Sequence, residues 1–540
     1  MQVQLPIEVL FILYTLETQG FEAYVVGGAV RDLLAEHKAA GKEVAITDFD
    51  FTTNATPEQI LATFPESFYE NQFGTVSITP KHLREMMGMS EEMVSDEQEK
   101  VTERAVIDVA NASKIHASLR TNTLPESTNA SNISEVKPFE ITTFRCEGTY
   151  EDHRRPSSVS WGTTIEEDLS RRDFTINAMA LKVERAFLSA FFAKEKNGKK
   201  GNSAEPIDLS PTEFSLLDPY QGQKDLASHR IHTVGDPAAR FEEDALRMLR
   251  AIRFSVQLNM KMSDEIFAAI SGLADHIQHI SWERIRDEIM KMLASEYPAE
   301  AIELLDETGL LHFLLPEVLE GKGVEQAGHH TTDVWTHSID ALRECPSKDP
   351  VVRLATLLHD VAKPRTFRND GGQITFYNHE VVGAREARAI AQRLRLSRHN
   401  TQRVFLLVRF HMFYYQPHNT DAAIRRFMRN VGLENVNDIL DLREADRLGS
   451  GARKTSWRLE EMKARMTEQL HQPFAITDLK INGTDLMETF SLQPGRVIGE
   501  ILQNLFEQVL ENPDLNQKEK LLELAARELE KRNTSAQEPV

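Results

Sequence analysis

Short apolar runs and period-two alternation dominate the first third of the chain; spacings of three and four dominate the rest. Residues 23–26 form a compact apolar run that stops at Gly27-Gly28, and 46–51, 75–79 and 139–144 alternate as strands do. Residues 30–37 carry helical spacing. From 236 onward strand signals nearly vanish, and helices are predicted over 241–256, 282–293, 299–308, 333–343, 351–361, 379–394, 400–411 and 518–532. The pattern predicts an α+β head followed by an all-helical body, with no repeat of fixed period.

Two stretches break this order. Residues 81–136 fit no strand, and 12 of the 24 residues in 111–134 are Ser, Thr or Asn. Such a segment buries little, so it reads as an insertion joining two strands. A second insertion is expected at about 185–205, where 194–205 is rich in Lys, Gly and Asn. Composition changes this picture only at the margins. With 540 residues, 41% hydrophobic and 27% charged, the chain has material for several buried cores. A net charge of −21 argues against non-specific coating of nucleic acid but leaves room for a local basic groove. Cys146 and Cys345 are too few and too far apart for a disulfide framework or a zinc ribbon. Residues 7–16 are apolar but contain Glu8 and lack a basic flank, so they read as an amphipathic helix. No window approaches a membrane span, and a cytoplasmic location with no membrane partner is expected.

Candidate chemistry begins at Gly27-Gly28-Ala29-Val30-Arg31-Asp32, between a strand and a helix start. Glycines there let backbone N–H groups approach a phosphate at the helix N-terminus, although a tight turn accounts for them equally. Asp48-Phe49-Asp50 follows on a predicted strand, where period two points both carboxylates one way and Phe49 the other. Two such carboxylates suit divalent cations at a phosphoryl- or nucleotidyl-transfer centre; a solvated acidic edge carries the same pattern.

The combination resembles the polymerase β-like nucleotidyltransferase head, and in particular the class II tRNA nucleotidyltransferases (CCA-adding enzymes) and their relatives the bacterial poly(A) polymerases. Arg171-Arg172-Asp173-Phe174-Thr175-Ile176-Asn177-Ala178 is similar to the family motif that holds ribose and triphosphate. The run 150–156 looks like the flexible loop associated with adenosine addition, and Glu140 is a candidate third carboxylate. Glu243-Asp244-Ala245-Leu246-Arg247 resembles the family motif in which Asp and Arg read the base edge, a pattern that selects cytosine and adenine. Arg247, Arg250 and Arg253 form a ridge on one predicted helix, and the resemblance implies that Arg250 and Arg253 reach the triphosphate.

Farther on, Leu357-Leu358-His359-Asp360-Val361-Ala362-Lys363, with His337 upstream and His379, His411 and Asp446 downstream, resembles an HD phosphohydrolase domain. That likeness implies a metal held by His337, His359, Asp360 and Asp446, and hydrolysis of phosphate esters as an additional activity. Nearby histidines are alternatives for the fourth ligand, and an HD fold with a purely structural role fits the same residues. Arg398, Arg403, Arg409, Arg425, Arg426 and Arg429 are candidates for a tRNA-facing side.

Together these motifs imply a head over 1–234, a helical neck over 235–325, an HD body over 326–452 and a helical tail over 453–540. The implied activity is CTP(ATP):tRNA nucleotidyltransfer that builds or repairs the 3′-terminal CCA, with tRNA, CTP and ATP as partners. Asp48 and Asp50 would be catalytic and hold Mg²⁺. Gly28, Arg31, Arg172, Asp244, Arg247, Arg250 and Arg253 would bind nucleotide, and the HD site would take Ni, Mn, Fe or Co. The alternatives are a poly(A) polymerase and an enzyme adding only CC or only A. Asn71-Gln72-Phe73-Gly74-Thr75-Val76 has the form expected of the tRNA enzymes rather than the tail-making ones.

Overall fold

The computed structural model describes residues 3–36, 48–69, 74–89, 137–147, 159–196, 206–326, 332–453, 455–470 and 472–535. They divide into two compact units, Met1–Met292 with Glu303–Leu314, and Leu293–Ile302 with Leu315–Val540. Among the described residues no helix is long and apolar enough to cross a membrane.

The first unit is organised on helix α1 (Ile7–Thr18), strand β1 (Ala23–Val26), helix α2 (Gly28–Glu36), strands β2 (Asp50–Thr53), β3 (Phe68–Tyr69), β4 (Thr75–Ile78), β5 (Phe139–Thr143) and β6 (Ala180–Val183), helix α3 (Arg185–Lys196) and strand β7 (Phe214–Leu217). The strands make one sheet in the order β7-β6-β1-β2-β5-β4-β3. Only β2 and β5 run parallel; the other neighbours are antiparallel. Val25, Phe51, Val76, Ile141 and Leu181 lie in one buried cluster with the apolar face of α1. Strand β2 is central and begins at Asp50, so that carboxylate is held by a rigid layer, while Asp48, expected on the same strand, lies just before it.

Both expected insertions prove to be partly core. Residues 80–86 form a helix capped by Thr79, with Leu83 buried and Arg84 Nε 2.7 Å from Glu8 Oε1. Residues 90–136 lie outside the described part. Within 185–205, α3 places Phe192 against Phe11 and Tyr14, with ring centroids 5.7 and 4.7 Å apart. The aromatic spacing of Phe187, Phe191 and Phe192 is what makes this stretch a packing helix rather than a loop.

The predicted continuous helix 241–256 is two: α4 (Pro237–Glu243) and α5 (Leu246–Leu258). Asp244 between them is extended (φ −146°, ψ 103°), and its Oδ1 accepts from Leu246 N at 3.1 Å. Short polar side chains compete for backbone donors in this way, which stops α4 and starts α5. Helix α6 (Trp282–Leu293) follows.

The second unit is helical, with one short hairpin of Arg368–Asp370 and Gln373–Thr375. Its centre is built from α7 (Val334–Arg343), α8 (Pro350–Leu358), α9 (His379–Arg393), α10 (Arg398–Phe410) and α11 (Val436–Gly449). A Cβ on Gly449 would stand 2.5 Å from Ala341 N, so only glycine allows α7 and α11 to approach this closely. Ala341 lies one turn beyond His337 and Gly449 one turn beyond Asp446, so the same approach brings those two side chains together. Beyond 480 a separate core gathers Leu486, Ile501, Leu505, Leu510 and Leu521.

Candidate active site

The sharp strand-to-helix turn puts Gly27 at φ +73°. A Cβ there would lie 3.1 Å from Arg172 Nη1 and 3.7 Å from Asp50 Oδ2. The glycine turn, Arg172 and Asp50 therefore meet at one point, although they are far apart in sequence. Phe49 is buried, so it fixes the start of β2 from below. Register places Asp50 between Val26 and Glu140. Glu140, the candidate third carboxylate, is thus the residue paired with Asp50 on the neighbouring strand.

Burial and then the neighbouring Asp48 charge push the Asp50 carboxyl up, while Arg172 and Lys137 oppose the rise. A divalent cation at this pair would relieve that repulsion, and the donor set of carboxylates fits a hard ion. Asp48 is 60% exposed, and Lys137 Nζ lies 2.7 Å from both of its oxygens. Sequence reading missed Lys137, because nothing local ties it to residue 48.

The arginines are fixed by carboxylates, of which Asp168 and Asp173 are buried. Asp168 is fully buried and takes Arg171 at 2.7 Å and Arg172 at 3.1 Å. Burial alone would push its carboxyl up; Arg172 and Arg171 outweigh that and hold it low. Arg31 bonds Asp32 through Nε at 2.8 Å and donates from Nη1 to Asn177 Oδ1 at 3.0 Å. Asn177 bonds Asp173, and Asp173 accepts from Arg250 Nε at 2.5 Å. Burial opposes ionisation of Asp173, but Arg250 and Arg247 hold it in the carboxylate form. Motif residues of the head are thereby wired to the first turns of α5.

Asp244 is gripped by Arg284 of α6, with Nη2 2.6 Å from Oδ2 and Nη1 3.3 Å from Oδ1. Arg247 pairs with Glu243 and donates to the Arg240 carbonyl at 3.1 Å. Arg284 was not legible as a site residue, since its partner lies 40 positions away. The triphosphate role expected for Arg253 meets a different environment. It is buried, ion-paired to Glu288 at 2.9 Å, and stacked 4.3 Å from the Phe254 ring centre. Its place is to support Phe254, on which Arg31 and Arg250 also lie at 5.4 and 5.3 Å.

In the second unit His337, His359, Asp360 and Asp446 come together, all buried, and His379 and His411 join them. The arginine group expected to face RNA is largely engaged internally. Arg403 pairs with Asp349 and Asp438, Arg425 is buried on the Leu510 carbonyl, and Arg426 and Arg429 pair with Glu511 and Glu507. The runs 70–73 and 148–158, which bear on the tail-making alternative and the adenosine loop, lie outside the described residues.

With this geometry in hand, comparison with known proteins decides the family. Residues 23–113 and 98–196 match the poly(A) polymerase head domain. Residues 259–321 match the probable RNA- and SrmB-binding site of polymerase A, and 375–525 match a putative tRNA nucleotidyltransferase domain 2. The A-adding tRNA nucleotidyltransferase of Deinococcus radiodurans is 33% identical over 362 residues, 64% of this chain and 75% of the relative. The chain belongs to the tRNA nucleotidyltransferase/poly(A) polymerase family. The CCA-adding enzyme of Geobacillus thermodenitrificans is 32% identical over 59% of this chain and 57% of its own length. Across such CCA-adding relatives the chain spans 53% to 61% of their length. The Bacillus stearothermophilus CCA-adding enzyme in complex with CTP shares the fold, with a TM-score of 0.60 at 24% identity and 98% coverage of both chains. Nucleotidyltransferases of this family use a divalent metal, and among the described residues groups of histidine and carboxylate side chains are close enough to hold one.

Proposed function

We propose that the chain is a CTP(ATP):tRNA nucleotidyltransferase that completes or repairs the 3′-terminal CCA in the cytoplasm. The observation that carries this reading is the convergence of Asp50, the Gly27-Gly28 turn and Arg172, with the Asp244 motif wired to the same head through Asp173 and Arg250. Asp48 and Asp50 would hold Mg²⁺, which would supply Lewis-acid stabilisation of the triphosphate and of the attacking 3′-oxygen. Arg172 and Arg31, preset by Asp168 and Asp32, bind phosphate with no reorganisation at the moment of reaction. Gly28 opens α2, whose first backbone N–H groups lack acceptors within the helix and suit the same anion. Asp244 accepts from the exocyclic amine that cytosine and adenine share, while Arg247 donates to a ring acceptor. Arg250, a third exposed on its side chain, carries the remaining phosphate contact.

A second reading is an enzyme that adds only the final A, favoured by the three-quarter coverage of the A-adding relative. One assay separates the readings. Purified chain is incubated with tRNA lacking CCA, tRNA ending in CC, and oligo(A), each with a single labelled nucleotide. CTP incorporation on the first substrate and ATP on the second supports CCA addition. ATP on the second alone supports A-addition, and extension of oligo(A) supports a poly(A) polymerase.

A further inference from the structure

Aromatic side chains of the helical unit divide between its interior and solvent, and the loop after α10 shows the division residue by residue. Phe413 packs on Phe427, with ring centres 5.0 Å apart. Tyr415 is buried, and Arg465 Nη1 donates to its hydroxyl at 3.1 Å. Tyr414 between them is 69% exposed. Its hydroxyl accepts from Gln416 Nε2 at 2.6 Å, and Gln416 N donates to Asn419 Oδ1 at 2.6 Å. A second ring stands in solvent at the start of the helix Trp457–Gln469, where Ser456 is the cap and Trp457 is 60% exposed. That helix is rooted by Met462 and Met466 in the same buried cluster as Tyr415, with Phe413 packed against it. One core therefore presents both exposed rings, and a partner meets them already ordered.

Arg458 joins the two. Its Cζ lies 5.3 Å from the Trp457 ring centre and 5.9 Å from that of Tyr414. Among the described residues it forms no ion pair, whereas Arg403, Arg426 and Arg429 of the same unit pair with carboxylates. In a chain with 83 Asp and Glu against 62 Lys and Arg, a guanidinium without a carboxylate is open to another anion. Rings alone would fit an apolar peptide. Ring faces with an unpaired guanidinium beside them match the two parts of a nucleotide, a flat base and a phosphate. A base within a duplex has both faces covered by its neighbours, so the base that fits is one outside the helical stack.

We propose that Tyr414, Trp457 and Arg458 form an RNA-binding surface on which an unpaired base stacks while the guanidinium takes an adjacent phosphate. The RNA is the substrate tRNA, so the proposal rests on the tRNA reading given above. It moves the RNA contact of the helical unit away from Arg403, Arg425, Arg426 and Arg429, whose donors are already engaged. The surface holds the substrate and takes no part in the chemistry. It therefore sets KM for tRNA and leaves kcat and KM for CTP alone.

The test titrates the full chain, without nucleoside triphosphates, against tRNA lacking CCA, an unstructured single-stranded RNA and a fully paired duplex. Affinity is read by fluorescence anisotropy over a range of salt. Tyr414→Ala and Trp457→Ala should each weaken binding of tRNA and of the single strand by about 5- to 100-fold, with the duplex unaffected. Trp457→Phe should recover most of the loss, which separates stacking from folding. Arg458→Gln should reduce the salt slope for tRNA by about one. In CTP incorporation the alanine variants should raise KM for tRNA alone. Affinity for tRNA within about twofold of wild type in both alanine variants overturns the proposal, as does an equal loss on the duplex. Lost self-association in sedimentation with RNA affinity unchanged would give the face to a second copy of the chain and reject it too. A wild type that extends tRNA, with variants that bind like it, rejects this surface alone. A wild type that extends no tRNA, yet binds single-stranded RNA through Trp457, rejects the reading of the head and leaves the surface standing.

Discussion

The head presents Asp48 just before and Asp50 at the start of one strand and leaves Asp48 60% exposed, whereas the helical unit gathers six buried His and Asp side chains on or at the ends of five helices. An open pair of carboxylates suits ions that arrive and leave with a triphosphate. A buried histidine and carboxylate set, with His359, His379 and His411 each held by a carbonyl, suits ions that stay. The two centres also differ in what built them. The head takes its glycine turn and its carboxylates each from one short run of sequence and adds Arg172 through the fold; the body cluster is made by helix packing, in which Gly449 against Ala341 is as decisive as any of its polar side chains.

The contrast breaks first at the head. Asp48→Ala or Asp50→Ala should lower incorporation of both CTP and ATP by roughly a thousandfold or more, because the ions act where charge develops in the transition state. Gel-shift affinity for tRNA should hold. Residual activity above about a tenth of wild type in single-turnover assays would remove these residues from the centre.

The same contrast explains what could be read from the chain alone. Gly27-Gly28, Asp48-Phe49-Asp50, Arg171-Arg172 and Glu243-Asp244 were legible because their chemistry is local. So were the apolar run of β1 and the helices near 333–343, 351–361, 379–394, 400–411 and 518–532. Asp421–Val431, Val436–Gly449, Trp457–Gln469 and Arg496–Glu511 were not, and the strand expected over 46–51 begins at Asp50. The break at Asp244 was not, since apolar spacing runs through it undisturbed while a side-chain cap ends α4. Asp168, Lys137 and Arg284 were invisible as site residues, because each acts through a partner that only the fold supplies. Arg253 shows the converse: a ridge position looks exposed in sequence until Glu288 and Phe254 close over it.

A smaller effect separates resident from transient metal. Ligands that bind only the folded state stabilise it by about 2.7 kcal/mol at a hundredfold excess over Kd. Adding Mn²⁺ to stripped protein should therefore raise the melting temperature of the helical unit by several degrees, and Asp360→Ala should abolish the rise. D48N/D50N should leave it intact, as the head ions contribute little to folding. A rise that depends on Asp48 and Asp50 instead would reverse the assignment of the two centres.

Specificity sharpens the comparison within the first unit. Asp244→Ala removes a base contact and should reduce discrimination of CTP over UTP by about 10- to 100-fold, on the order of 1–3 kcal/mol. Arg284→Ala should act in the same direction but more weakly, because it releases the carboxylate without deleting it. Competition assays with paired nucleotides measure both. Full discrimination in Asp244→Ala would end the base-reading role, and an Arg284→Ala variant that changes only stability would make that arginine a structural partner.

The smallest expected effect falls on Lys137. Its ammonium sits on both oxygens of Asp48, the position a cation would take, and the two side chains are 53% and 60% exposed. Exposed pairs of this kind are worth about 0.2–1 kcal/mol, so the competition it offers an incoming ion is slight. Lys137→Ala should therefore lower the half-saturating Mg²⁺ concentration by no more than about fivefold, with kcat at saturating Mg²⁺ little altered. The shift should shrink as salt rises, because screening weakens an exposed pair first. A requirement for more Mg²⁺ in the variant would show that Lys137 orients Asp48 for the ion rather than competing with it. The head would then be pre-arranged like the body, and the difference between an open and a prebuilt centre would narrow.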